Sequence, residues 1–115
     1  MSAHEVISIE GKVVLNVDPG ACRLKSQVIS WLDDDGLLQC RITSACKNVT
    51  DFGEGLGGMD PMVVLHLPFS ENQVYLRAGV MLKHATCPVP LAVLKAMEVA
   101  SGLGIKRDVH LTFDR

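Results

Sequence analysis

The sequence predicts an α+β fold, in which a small antiparallel sheet carries helices on one face. Its first half consists of β-branched runs of period two that are separated by turn residues. In the second half the apolar spacing changes to the helical period, with proline and glycine near the ends of the runs. The chain has 115 residues and is 48% hydrophobic, which suits one compact domain over residues 1–115.

The N-terminal half is predicted to form an antiparallel meander. Its runs are joined by short turns rich in Gly, Pro and Asp, which favour hairpin connections. The predicted turns are Glu10-Gly11, Asp18-Pro19-Gly20 and residues 33–36. The predicted strands cover residues 5–9, 12–17, 23–32 and 37–43. In the last of these strands, Leu38, Cys40 and Ile42 fall on one face because side chains alternate along a strand.

The C-terminal half is predicted to be mainly helical and to end in a strand. Helices are expected over residues 47–54, 71–84 and 88–100, and Gly102 or Gly104 is a natural C-terminal stop for the last one. Residues 62–70 fit either a strand or a buried loop. The final run, "DVHLTFD" over residues 108–114, alternates polar and apolar residues and is expected to close the sheet as a C-terminal strand.

Composition excludes several classes of partner. The formal net charge is -2 and basic residues form no cluster, so we expect no nucleic-acid partner. No apolar run approaches the roughly 18 residues that a membrane span needs, and the N-terminus lacks a secretory leader. We therefore expect a cytoplasmic protein, in which four cysteines are free thiols, metal ligands or redox groups rather than structural disulfides.

The four cysteines differ in their local settings. Cys22 follows a turn and opens a strand, whereas Cys46 and Cys87 each come directly before a predicted helix. Free N–H groups at a helix start favour thiolate and are expected to lower the thiol pKa, and thiolates bind soft metals. Cys40 lies mid-strand among apolar residues and is predicted to be a small buried hydrophobe. Its use as an additional or substitute ligand stays open.

The stretch "KHATCPVP" places His84 three residues before Cys87, at the bend between two predicted helices. A bend of this kind can turn both side chains towards one point. Together with Cys22 and Cys46, the pair makes a Cys3His set, which suits tetrahedral zinc or an iron-sulfur cluster. The predicted metal ligands are therefore Cys22, Cys46, His84 and Cys87.

These residues also carry a resemblance. The patterns P-G-x-C, S-x-C, H-x-x-C-P-V-P and A-x-E-V-x-x-G-L occur here at Cys22, at Cys46, over residues 84–90 and over residues 96–103. The chain resembles a family of small single-domain proteins, mostly of anaerobic microbes, that share these patterns. The resemblance carries over Cys22, Cys46, His84 and Cys87 and leaves Cys40 out, but it implies no established activity.

In layout, the chain distantly resembles iron-sulfur scaffold proteins of the IscU and NifU N-terminal type. That resemblance implies an IscU-like arrangement in which Cys22, Cys46 and Cys87 are the cluster or zinc thiolates and His84 is the neighbouring ligand. The chain departs from the scaffolds in having Arg23-Leu24 after the first cysteine and two residues between the histidine and the last cysteine. These departures concern cluster assembly and transfer more than metal binding.

Taken together, the residues predict a metal-binding module for zinc or an iron-sulfur cluster that acts as scaffold, carrier or sensor. The alternative is a thiol-based redox protein or cysteine-dependent enzyme that uses the same residues without metal. Coordination accounts for three thiols around one histidine better than catalysis does, because no orienting third group or oxyanion motif accompanies them. Purely structural thiols are a third reading, and both a protein partner and a homodimer stay open.

Overall fold

The computed structural model describes residues 11–115, so the predicted strand over residues 5–9 and Glu10 of the first predicted turn lie outside the described residues. Within this range, three strands and then four helices follow one another along the chain. They are β1 (Val13–Val17), β2 (Ser26–Leu32), β3 (Leu38–Ser44), α1 (Lys47–Gly53), α2 (Pro61–Val64), α3 (Gln73–Met81) and α4 (Val89–Ala100). The strands form an antiparallel sheet in the order β1-β2-β3 with helices packed against it, which confirms the predicted α+β class.

The register of the sheet brings three strand ends to one level. Ser26, the first residue of β2, pairs with Val17 at the end of β1 and with Ser44 at the end of β3. We call this level the Ser26 end of the sheet. The loop that joins β1 to β2 and the chain segment that leaves β3 for α1 both lie at this end.

The helices cover one face of the sheet. Along β2, Val28 is fully buried on this face, whereas on the other face Gln27 is exposed and Ile29 is buried at 6%. Helix α4 packs on β1 and β2, and α1 packs on β3. The core lies between these helices and the sheet, and its largest fully buried side chains are Phe52, Leu38, Leu56, Met97, Val28, Val64, Val74, Val89 and Val93.

Side-chain caps start the two middle helices. Asp60 accepts a hydrogen bond from the Met62 N–H at 2.9 Å, and Asn72 accepts one from the Val74 N–H at 3.0 Å. The Asn72 amide is buried and also donates to the Val64 carbonyl at 2.7 Å, which ties α2 to the start of α3. The segment that fitted either a strand or a loop thus begins as the short helix α2.

None of the helices in the described range is both long and apolar enough to cross a bilayer.

The predicted C-terminal strand is wrong. Helix α4 ends at Ala100, the following turn contains Gly102 at φ +80°, and residues 105–115 have no regular secondary structure. The alternation over residues 108–114 fits a strand, but a strand also needs backbone partners, and within the described chain this segment pairs with no strand. Its apolar side chains are left exposed, with Leu111 at 85% and Phe113 at 92%.

The close approach of α1 to the sheet gives a first prediction. Gly53 is buried at the end of α1, and a Cβ there would lie 2.9 Å from the Cβ of Ile42 in β3, which cannot swing away. We expect Gly53→Ala to lower the free energy of unfolding by about 1–3 kcal/mol, measured by urea denaturation, because the helix must move off the sheet.

The matched control is Gly79→Ala in α3, where a Cβ meets nothing within 4 Å. We expect this variant to be more stable by about 0.5–1 kcal/mol, since alanine favours the helix. An equal effect of both substitutions would show that α1 does not approach the sheet as closely as the structure places it.

Candidate functional site

Cys22 is exposed in the loop of residues 18–25 that joins β1 to β2. The loop is shaped by a side chain and a turn, since Asp18 Oδ1 accepts the Gly20 N–H at 3.1 Å and the Gly20 carbonyl accepts the Arg23 N–H at 3.0 Å. Gly20 has φ +82°, which explains the glycine of the P-G-x-C pattern. Arg23 is also left-handed at φ +61°, an unusual conformation for a residue with a side chain. The turn therefore holds Cys22 at its tip.

Cys46 comes directly before α1, and the hydroxyl of Ser44 fixes its backbone. The Cys46 N–H donates to Ser44 Oγ at 3.0 Å, which explains the serine of the S-x-C pattern. Ser44 Oγ also accepts a hydrogen bond from Ser26 Oγ at 2.8 Å, across the strand pair. The Ala45 N–H donates to the Lys25 carbonyl at 3.3 Å, so the turn of Cys46 is joined directly to the loop of Cys22.

Cys87 lies in the turn between α3 and α4, and its setting explains the H-x-x-C pattern. The Cys87 N–H donates to the His84 carbonyl at 3.1 Å, which closes a tight turn over these four residues. The Cys87 sulfur accepts a hydrogen bond from the Val89 N–H at the start of α4. Cys87 is half-buried and packs against the core, whereas His84 is exposed. The histidine and the cysteine thus share a turn and differ in exposure.

The topology brings Cys22, Cys46 and Cys87 to the Ser26 end of the sheet. The first two lie on joined turns there, and α4, which Cys87 precedes, packs against β1 and β2. Negative charge on Cys46 and Cys22 is close enough to raise the pKa of Cys87. In residues 11–115 as arranged, however, no three His, Cys, Asp or Glu side chains are close enough together to hold a metal ion.

The pKa of Cys87 corrects one expectation. A cysteine before a helix was expected to have a lowered pKa, but burial raises the pKa of the Cys87 thiol, and charge on Cys46 and Cys22 raises it further. The hydrogen bond from the Val89 N–H lowers this pKa without compensating for the loss of solvent. The shift that a helix start gives to a thiol pKa therefore depends on how much water reaches the sulfur. The local sequence does not determine that exposure.

Cys40 is partly buried and packs with apolar residues, close to the buried hydrophobe that the sequence predicts. It lies mid-strand in β3 on the face that the helices cover, packs against the core, and burial raises the pKa of its thiol to about 12. At neutral pH this thiol is protonated and shielded. The structure thus separates Cys40 from the three cysteines in the turns.

The burial of Cys40 makes stability depend on alkaline pH. Its thiol has a pKa of about 12 when folded against an ordinary 9.0, so above pH 9 the unfolded chain loses the proton first. This contribution to the free energy of unfolding is complete below pH 9 and is lost at about 1.4 kcal/mol per pH unit as the pH rises towards 12. We expect Cys40→Val to flatten the decline of stability between pH 9 and 11, measured by urea denaturation. Cys22→Ser, at an exposed thiol, should keep the wild-type slope, and an unchanged slope in Cys40→Val would contradict the assignment.

Comparison with known proteins gives one match. A family model described as a family of unknown function, DUF6951, matches residues 13–113, a span that contains the four cysteines and His84. No curated protein and no solved structure matches the chain. Because the match covers most of its length, the chain belongs to this family of unknown function, DUF6951.

Proposed function

We propose that the protein is a metal-binding module in which Cys22, Cys46 and Cys87 hold zinc or an iron-sulfur cluster, with His84 as the fourth ligand. The observation that carries the proposal is the convergence of three separate hydrogen-bonded turns, each presenting one cysteine, at the Ser26 end of the sheet. A soft metal is held by thiolates presented from turns and element ends of this kind.

The two half-buried cysteines supply the rigid part of the proposed site. Cys46 and Cys87 both pack against the core at the starts of α1 and α4, and their backbones are fixed by Ser44 and by the turn from His84. Ligands on such elements are preorganised, so little conformational entropy is lost when they bind.

The two exposed residues, Cys22 and His84, supply the mobile ligands of the proposed site. Cys22 lies at the tip of a solvent-facing loop, and His84 lies on the exposed side of its turn, so both side chains can rotate without opening the core. Closure of the loop over residues 18–25 would complete the set of four ligands. Arg23, with its left-handed backbone, is the residue at which the loop stores conformational strain.

The electrostatics of the thiols fit a cation. Three thiolates at one end of a sheet repel one another, which is why charge on Cys46 and Cys22 raises the pKa of Cys87. A bound divalent cation reverses this repulsion and favours the deprotonated forms. Metal binding would therefore release protons, and affinity would fall as the pH is lowered.

The layout also bears on the role of the module. A cysteine before a strand of the meander, a second cysteine before a helix and a late histidine-cysteine pair resemble the IscU and NifU N-terminal order, which supports a role as scaffold, carrier or sensor in iron-sulfur metabolism. The site would work in a reducing compartment such as the cytoplasm, where the thiols stay free. A net charge of -2 suits a metal or protein partner better than nucleic acid or a membrane surface.

A metal-free thiol protein is the alternative, and one observation favours it: three thiols lie near one another, with Cys22 exposed to oxidants. In that case the cysteines would cycle between thiol and disulfide or attack a substrate. The raised pKa of Cys87 weighs against this alternative, because less of the reactive thiolate is present at neutral pH.

Anaerobic purification followed by elemental analysis and absorption spectroscopy tests the proposal. We expect about one zinc, or iron with visible charge-transfer bands, per chain or per dimer. Cys22→Ser, Cys46→Ser and Cys87→Ser should each weaken binding by about 100-fold or more, since even residues behind the ligands cost about 10–100-fold. His84→Ala should weaken binding less, because water can replace an exposed ligand.

Cys40→Ala is the matched control and should bind metal as the wild type does, because its thiol lies on the core face of β3. A folded wild-type protein that binds neither Zn²⁺ nor Fe²⁺ would overturn the proposal. If that protein instead formed a disulfide among Cys22, Cys46 and Cys87 on mild oxidation, identified by mass spectrometry, the metal-free alternative would hold.

A further inference from the structure

Residues 109–113 carry apolar side chains at a spacing of two that are exposed in the described part of the chain. Val109, Leu111 and Phe113 alternate along the segment and are 50%, 85% and 92% exposed. Single exposed apolar residues are common on protein surfaces, but three at a spacing of two form one continuous face of an extended segment. We call residues 109–113 the C-terminal segment. Its alternating pattern is that of a half-buried strand, but its apolar side chains are exposed.

The sheet has a matching edge. Its order is β1-β2-β3, so β1 and β3 are the outer strands. At β3, Leu38 exchanges two backbone hydrogen bonds with Met59, at 2.7 and 3.0 Å, which covers the start of that edge. Among residues 11–115, no strand pairs with the outer edge of β1 over Val13–Val17, and the strand predicted over residues 5–9 lies outside this range. An uncovered edge is a template for another strand, and native proteins generally cover or block such edges.

A groove lies between this edge and the C-terminal part of the chain. It has a volume of about 560 Å³ and is lined by β1, by one side of α4 and by residues 105–112. The α4 residues in its wall include Leu91, Lys95 and Val99, which recur every four residues along the helix. The groove therefore offers an incoming strand the edge of β1 and a helix wall in which Leu91 and Val99 are apolar and Lys95 is charged.

A second copy of the chain is the occupant that these features fit. The chain's own segment borders the groove and still leaves Leu111 and Phe113 exposed. Each molecule carries both the groove and a C-terminal segment with a strand-like pattern. In a dimer with a two-fold axis, each segment can fill the groove of the other copy, so every contact is made twice.

The area supports a stable pair. Specific interfaces bury about 1,200–2,000 Å² in total. Each copy of Phe113 alone can contribute about 150–250 Å². With Leu111, Val109 and the groove walls that they cover, all counted in both copies, a reciprocal exchange reaches roughly this range.

We propose that the protein is a homodimer in which the C-terminal segment of each copy pairs with the outer edge of β1 in the other and lays its apolar face in the groove. Main-chain hydrogen bonds to β1 provide the register, and the three apolar side chains provide the burial, as in other cases of strand addition. This inference is independent of the metal site.

The test is the oligomeric state of the full-length chain by analytical ultracentrifugation in reducing buffer with EDTA, so that neither disulfides nor metal ions link the copies. We expect a dimer. Leu111→Asp should weaken its dissociation constant at least about 100-fold, because a charge would be buried in the groove. Phe113→Ser is the second variant and should act in the same direction. Since both side chains are exposed in the single chain, each variant should retain the wild-type circular dichroism.

Val80→Asp is the matched control, because Val80 is 82% exposed on α3, away from the groove. This variant should remain dimeric. Hydrogen exchange should show amides of residues 109–113 that are protected in the dimer and unprotected in Leu111→Asp.

Three outcomes would overturn the proposal. A monomeric wild type with protected amides in residues 109–113 would mean that the segment closes on its own chain. A monomeric wild type that dimerises only after deletion of residues 1–10 would assign the β1 edge to those residues. A dimer that survives both Leu111→Asp and Phe113→Ser would place the interface elsewhere.

Discussion

The burial of α4 and α1 against one face of the sheet is the constraint on which the rest of the structure depends. Val93 and Met97 of α4 and Phe52 of α1 are fully buried against this face. Both helices start at the Ser26 end, α1 because it follows β3 after two residues and α4 because Cys87, just before it, is close enough to Cys46 and Cys22 for their charge to raise its pKa. The cysteines that precede these helices are brought together by the same packing that forms the core.

The same burial also divides the four thiols by their chemistry. Cys22 is exposed, Cys46 and Cys87 are half-buried at helix starts, and Cys40 faces the core with its pKa raised to about 12. Desolvation outweighs the helix N–H at Cys87, because a single hydrogen bond does not replace the water that the sulfur loses. The raised pKa of Cys87 leaves less of its reactive thiolate at neutral pH, so this thiol is a weaker nucleophile than an exposed cysteine with a lowered pKa would be.

The proposed metal site and the proposed dimer interface both adjoin β1 and α4. Asp18 and Pro88 line the groove, and in the chain they lie within four residues of Cys22 and Cys87. The β1 edge and α4 thus line the groove along their length. At one end, each is joined to a turn that carries a cysteine. If the dimer altered the loop of residues 18–25, metal affinity and dimer affinity would change by the same factor, since coupling between two binding events is reciprocal.

Local chemistry in the sequence was enough to predict the three described strands of the meander, the turns between them and three of the helices, because alternation, proline, glycine and capping act over a few residues. Other features needed the tertiary structure. The sequence did not determine whether residues 108–114 pair, because pairing needs a free edge that is distant in the chain and can belong to another molecule. It also left open the direction of the Cys87 pKa and the meeting of three turns at the Ser26 end. The desolvation of a thiol and the register of strands both depend on contacts between segments that are remote in the sequence. Only the folded chain therefore determines them.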